Sequence, residues 1–222
     1  MLILKNVLSA DEVAAIQSAL NDAEFVDGRA TAKGSAARVK NNLQVARDGA
    51  EPAPLDDLII GALTKQTQFR DWALPARFAL PLYCRYEPGM AYGQHTDSPM
   101  MGNTQPMRTD VSITVFLSDP QSYDGGELRL ISDSGNIDVK LPAGQAVVYN
   151  TTAIHEVLPV TNGERLVAVT WAQSYVVDEH LRRILYDMKR VQTGLAEKLA
   201  DSDESQLLDN CYHNLLRRFA AP

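Results

Sequence analysis

The stretch Val111-Ser-Ile-Thr-Val-Phe-Leu-Ser118 alternates without a break, with Val111, Ile113, Val115 and Leu117 on one side and Ser112, Thr114 and Phe116 on the other. Successive side chains of a strand leave opposite faces, so this period of two predicts a strand with one fully apolar face. The same texture extends outward. Upstream, Leu82, Cys84 and Tyr86 alternate with Tyr83 and Arg85 until Glu87-Pro-Gly ends the run, and Tyr92-Gly-Gln-His-Thr-Asp97 follows. Downstream, Asp124-Gly-Gly126 precedes a strand over 127–132, and Asp133-Ser-Gly135 turns into one over 137–141. Pro142-Ala-Gly144 turns into Ala146-Val-Val-Tyr149, and the last strands run over 155–160 and 165–173. Eight short strands separated by turn signals predict a double-sheet jelly roll of the cupin type, a double-stranded β-helix with a mouth between its sheets.

Helical texture flanks this region. Ser9-Ala-Asp-Glu12 is a capping-box pattern, followed by Val13, Ile16 and Leu20 at helical spacing. From Pro54, the residues Leu55, Leu58, Ile59, Ala62 and Leu63 predict a second helix, and both helices are expected to cover a sheet. After Val177, Asp178 can cap a helix carrying Leu181, Ile184, Leu185 and Met188, and Leu207, Leu208, Cys211, Leu215 and Leu216 mark a final one. The expected class is α+β with a mainly β core. The jelly-roll domain and its N-terminal helices would occupy 1–177, and a C-terminal helical extension 178–222, which could pack on the jelly roll or form a homodimer surface.

Composition narrows the function. The chain has 222 residues and a formal net charge of -7, which disfavours a general nucleic-acid binder. No stretch approaches the length of a membrane span, and Met1-Leu-Ile-Leu-Lys lacks the features of a signal peptide. Cys84 and Cys211 form no paired motif, so a reduced, cytoplasmic setting is expected. Residues 26 to 50 carry Arg29, Lys33, Arg38, Lys40 and Arg47 with no acid between Asp27 and Asp48. They read either as a mobile basic loop near an anionic substrate or as a solvated surface loop.

His95 and Asp97, two apart in a predicted strand, would project the same way and could reach one ion. His155, opening the apolar alternating run His155-Glu-Val-Leu-Pro-Val, is the candidate third ligand. Two imidazoles and one carboxylate on one face of a divalent metal leave its other positions open, the arrangement of non-haem Fe(II) oxygenases. Arg165 follows ten residues later, after Thr161-Asn162-Gly163, placed to re-enter beside the metal and hold an anion. A lone H-x-D pair occurs often by chance. Here the weight lies in the ordered set, because the only other histidines, His180 and His213, fall in the helical tail.

These residues resemble a known family. Tyr86-Glu-Pro-Gly-Met-Ala-Tyr92-Gly-Gln-His95-Thr-Asp97, Asp124-Gly-Gly-Glu-Leu128, Pro142-Ala-Gly144, His155 to Arg165, and Trp171 look like Fe(II)- and 2-oxoglutarate-dependent dioxygenases of the prolyl-hydroxylase superfamily. The whole chain, including Tyr212-His-Asn-Leu-Leu-Arg-Arg-Phe, is similar to bacterial PKHD-type hydroxylases, the group linked to iron uptake. The resemblance implies Fe(II) on His95, Asp97 and His155, and 2-oxoglutarate on the metal with its distal carboxylate on Arg165. It also implies O2 as oxidant and ascorbate as a reductant. Tyr86 would donate to the co-substrate or serve as a core aromatic; Tyr92 would be a substrate-side donor or a turn-packing residue; Trp171 would wall the cavity near His155. Phe116 stands where related animal enzymes place a tyrosine that meets the distal carboxylate. Thr114, two residues earlier on that face, is therefore the expected second donor, or else a strand former on a polar face.

Two other classes stay open at this stage. A cupin-like Zn or Mn isomerase would ordinarily use H-x-H with an added Glu and has no evident use for Arg165. A non-catalytic iron or small-molecule sensor could keep the ligands without the chemistry. For a hydroxylase, the substrate would be a small molecule, a siderophore among them, or a protein side chain. The basic 29–47 segment and the loop carrying Met100, Met101 and Met107 are the candidate substrate contacts.

Overall fold

The computed structural model describes residues 1–32, 34–47, 54–102, 105–199 and 202–221. Lys33 and Asp48 of the basic segment, and Asn103 and Thr104 of the methionine loop, lie outside the described residues.

Two antiparallel sheets face each other. The major sheet is built on Ala146–Asn150, Val111–Phe116, Arg165–Ser174 and Leu82–Tyr86, in that spatial order. It is lengthened by Leu2–Leu4 at one edge and by Leu43–Val45 and Phe25–Asp27 at the other. The minor sheet runs Ile137–Val139, Leu128–Ile131, Ile154–Val157, Ala91–His95 and Lys40–Asn41. Its first four strands complete the expected jelly roll.

The two faces of the Val111–Phe116 strand divide the interior. Val111, Ile113 and Val115, with Leu117 just beyond, enter a core with Val13, Ile16, Leu20, Ile59 and Leu63 of the first two long helices. Phe116 enters a second core between the sheets with Tyr86, Val147, Tyr149, Val157 and Val167. The capping box at Ser9 forms as expected: Ser9 N–H donates to Glu12 Oε2 at 2.7 Å, and Glu12 N–H to Ser9 Oγ at 3.2 Å. The helices span Ala10–Asn21 and Pro54–Lys65.

Some expectations need correction. The strand expected over 155–160 stops at Val157, and a separate strand, Val160–Gly163, pairs with Tyr123–Gly125. Pro159 lies between them and has no N–H to give to a ladder. The basic segment is no simple loop, because Phe25–Asp27, Lys40–Asn41 and Leu43–Val45 extend the sheets. Arg47 is spent on a two-bond ion pair with the buried Asp56, at 2.8 and 2.7 Å. In the tail, helices Glu179–Leu199 and Asp203–Phe219 form, and Leu181, Leu185, Met188, Tyr212, Leu215 and Leu216 pack with Val176 and Leu74. Ile184 and Leu207, expected on the core stripe, face outward instead.

Candidate metal centre

His95 ends the Ala91–His95 strand, and the register sets it directly opposite His155 on Ile154–Val157. Their ring centroids are 4.3 Å apart. Each imidazole is fixed by its own strand: His95 Nδ1 lies 2.8 Å from the Gly93 carbonyl oxygen, and His155 Nδ1 lies 3.0 Å from that of Ala153. A carbonyl can only accept, so each Nδ1 carries the proton and each Nε2 keeps its lone pair. Both Nε2 atoms stand 3.6 Å from Asp97 Oδ1. The three donors lie within 4.8 Å of one another, a spacing one ion can bridge.

Asp97 lies two residues past the strand end, so strand alternation is not what aims it, contrary to the expectation. Its second oxygen is anchored: Ser112 Oγ and Trp171 Nε1 each donate to Oδ2 at 2.8 Å. Ser112 and Trp171 are cross-strand partners in the major sheet, which reaches across the interior to orient a ligand carried by the minor sheet. Burial would push the Asp97 carboxyl up. The Trp171 and Ser112 hydrogen bonds, together with the adjacent His95 and His155 imidazoles, outweigh it and bring the pKa down to about 2. Burial pulls His155 below its ordinary value. Near neutrality the centre therefore offers an ionised carboxylate and a neutral imidazole, the states metal ligation requires.

Val157 pairs with Tyr92, so two steps on one strand span three on the other, and the extra residue is a β-bulge in Ala91–His95. The bulge brings Tyr92 and His95 to one face although they are three apart, with rings stacked at 3.6 Å and 16°. Gly93 occupies it, donating to the Val39 carbonyl at 2.9 Å; a Cβ there would meet Val39 Cβ at 2.9 Å. Tyr92 thus packs on a ligand ring rather than on a turn.

Arg165 begins the last strand opposite Tyr86 and is 1% exposed. Its guanidinium carbon lies 5.0 Å from the Tyr86 ring centre and 5.6 Å from that of Phe116. Among the described residues Nε and Nη1 have no hydrogen-bond partner, and the Tyr123 phenol lies beside the guanidinium. Gly126 leaves room, since a Cβ there would approach Arg165 Cδ at 3.0 Å. A buried guanidinium without an anion is costly, so this pocket suits a carboxylate. Between the two ends, the Thr114 side chain stands beside the Tyr149 phenol, whose ring meets His155 edge-on at 5.2 Å. Burial pushes the Tyr86 and Tyr149 hydroxyls well up, so both stay protonated.

The sequence reading missed Ser112 and Tyr149 as site residues. Ser112 shares a face with Thr114 and Phe116, and following that alternation one step further would have found it. Of the candidate substrate contacts, Met107 is buried, Met100 is half exposed, and Lys40 is buried against Tyr92.

Residues 81–173 match the 2OG-Fe(II) oxygenase superfamily, and residues 179–221 match the PKHD-type hydroxylase C-terminal domain. A PKHD-type hydroxylase of Methylobacterium nodulans is 43% identical over 219 residues, 97% of this chain and 96% of the relative. One from Klebsiella pneumoniae is 43% identical over 218 residues, 97% of each chain. Among solved structures, a Pseudomonas putida prolyl-4-hydroxylase aligns at TM-score 0.59 and 25% identity, over 78% of this chain and 91% of that one. The donor set and the unpartnered guanidinium fit the Fe(II) and 2-oxoglutarate that this superfamily uses. With the jelly roll, the helical tail and nearly the full length all matched, the chain belongs to the PKHD-type hydroxylases, Fe(II)- and 2-oxoglutarate-dependent dioxygenases.

Proposed function

We propose that His95, Asp97 and His155 hold Fe(II), and that Arg165 holds the distal carboxylate of 2-oxoglutarate, in a hydroxylase acting on a small molecule or a protein side chain. The observation that carries this is Arg165: nearly fully buried, with Nε and Nη1 free of partners among the described residues, and on the inner face of the strand whose Trp171 orients Asp97. When bound, Fe(II) and 2-oxoglutarate supply the oxidation, in which O2 places one oxygen in succinate, formed with release of CO2, and the other in a substrate C–H bond.

The chain's own part is positional. Gly93 and Ala153 carbonyls hold both Nε2 atoms toward the ion, and Ser112 with Trp171 holds Asp97 so that Oδ1 faces it. Phe116, Val147 and Val167 keep water from the space between the ends. Tyr86 and Thr114 offer hydroxyls to the co-substrate along that space, with Tyr149 as a third. Tyr92 fixes the His95 ring and faces the substrate side. Three protein ligands leave positions for co-substrate and O2.

A Zn or Mn isomerase would have no use for the buried guanidinium, and a sensor would bind 2-oxoglutarate without consuming it. The test is succinate release from 2-oxoglutarate by the purified chain with ascorbate. Slow formation that requires Fe(II), and is not supported by Zn(II), is expected even without substrate. Absence of succinate from Fe(II)-loaded protein would favour the sensor. The reading includes a cytoplasmic setting, which suits the free thiols of Cys84 and Cys211, and a role in iron uptake. The latter predicts more of the protein in cells grown with an iron chelator; unchanged abundance would remove it.

A further inference from the structure

Residues 40 to 45 cross from one sheet to the other. Lys40–Asn41 edges the minor sheet beside Ala91–His95, and Leu43–Val45 joins the major sheet beside Leu82–Tyr86, so the segment closes that side of the jelly roll. Lys40, Asn42 and Gln44 are 7%, 2% and 2% exposed, although lysine, asparagine and glutamine are mostly surface residues. Gln44 is accounted for: its oxygen accepts from Thr31 Oγ1 at 2.6 Å, and its amide donates to Cys84 Sγ at 3.3 Å. Lys40 is not. Lys40 Nζ spends one of its three N–H groups on Thr31 Oγ1 at 3.0 Å, and lies 5.2 Å from the centre of the Tyr92 ring, which is stacked on His95. Among the described residues no carboxylate forms an ion pair with it. Asp97 and Asp27 attract it only from a distance, while burial works against its charge. Asn42 packs its amide against Gly28, Cys84 and Tyr86.

A buried ammonium short of partners beside a metal-ligand ring is costly unless something completes it. Arg165 already answers to the co-substrate at the other end of the interior. We propose that Lys40 determines substrate specificity, and that the substrate presents a carboxylate to its ammonium on the Tyr92 side of the metal. One positive charge with two unspent N–H groups matches the single charge and two oxygens of a carboxylate. The proposal rests on the Fe(II) and 2-oxoglutarate assignments above.

The test uses the full chain loaded with Mn(II) and saturated with 2-oxoglutarate, and 4-fluorobenzoate as probe, read by fluorine line broadening from the paramagnetic ion. The neutral 4-fluorobenzamide is the control. Wild-type protein should bind the benzoate about tenfold more tightly than the benzamide, as a charge-assisted contact implies. Lys40→Met and Lys40→Gln, run together in case one fails to fold, should each lose about that factor for the benzoate alone, and Lys40→Arg should keep most of it. No preference for the benzoate in wild-type protein, or an undiminished preference in folded Lys40 variants, overturns the proposal. So does a matching loss of 2-oxoglutarate affinity in those variants, which would assign Lys40 to the co-substrate. Mn(II) uptake, read from water-proton relaxation in the same samples, separates the two layers. Failure of wild-type protein to take up the ion overturns the metal assignment and this proposal with it; normal uptake without a benzoate preference overturns this proposal alone.

Discussion

The metal end and the anion end of the interior are both buried, yet they differ in how complete they are. At the metal end each polar group has a partner within the chain: both Nδ1 atoms meet carbonyls, and Asp97 Oδ2 takes two hydrogen bonds. At the anion end, Arg165 sits between aromatic rings with Nε and Nη1 unused. One end is prearranged, so a ligand there needs little reorganisation. The other holds an unmet charge that only a bound anion can satisfy. Substitutions should therefore damage the metal end through geometry and relieve strain at the anion end.

The largest effect is expected where geometry and donor atom go together. His95→Ala or His155→Ala should abolish Fe(II)-dependent succinate formation; full turnover in either, with added Fe(II) and 2-oxoglutarate, would contradict the ligand assignment. Next come the orienting groups. Ser112→Ala and Trp171→Phe leave all three donors in place but free Asp97, and each should weaken metal affinity by roughly 10- to 100-fold, measurable by competition with a chelating dye. Unaltered affinity in both would mean that Asp97 needs no orientation. Arg165→Met tests the other end in the opposite direction: ligand-free protein should gain stability on the order of 1 kcal/mol, since an unpaired buried charge is replaced by an apolar chain of similar length. A drop in urea midpoint would show that Arg165 is satisfied in the ligand-free state. Thr114→Val should have the smallest effect, raising the apparent requirement for 2-oxoglutarate about threefold, the size of one modest hydrogen bond, without altering metal binding. An unchanged requirement would leave the Tyr149 hydroxyl as the second donor.

How much of this could be read from the sequence follows the same division. The strict alternation over 111–118 separates the two cores correctly, because a strand buried on both faces still sends neighbouring residues to different layers. His95, His155 and Arg165 stood out because histidine is scarce in this chain and arginine rarely opens an apolar strand. What the pattern could not give was anything produced by irregularity. The bulge at Gly93 breaks the period of two and stacks Tyr92 on His95, which strict alternation would have kept apart. Asp97 lies beyond the strand, where its direction depends on Ser112 and Trp171 of the opposite sheet. By charge alone, Lys40 falls in one group with Arg29 and Arg47. Pairing across the sheets separates them, leaving Arg29 on exposed Asp27, Arg47 on buried Asp56 and Lys40 against Tyr92. Sequence proximity carries little about such contacts, since each depends on chain segments brought together only by the fold.

The central claim is that the two ends form one receptor for 2-oxoglutarate, with the metal at one end and Arg165 at the other. Calorimetric titration of 2-oxoglutarate into the Mn(II)-loaded chain, beside metal-free chain and Mn(II)-loaded Arg165→Met, tests it directly. Saturable binding is expected in the first, with affinity falling by about 100-fold or more in each of the other two, as loss of one partner of a buried charged contact implies. Equal affinity for the wild-type and Arg165→Met proteins, both metal-loaded, would contradict it.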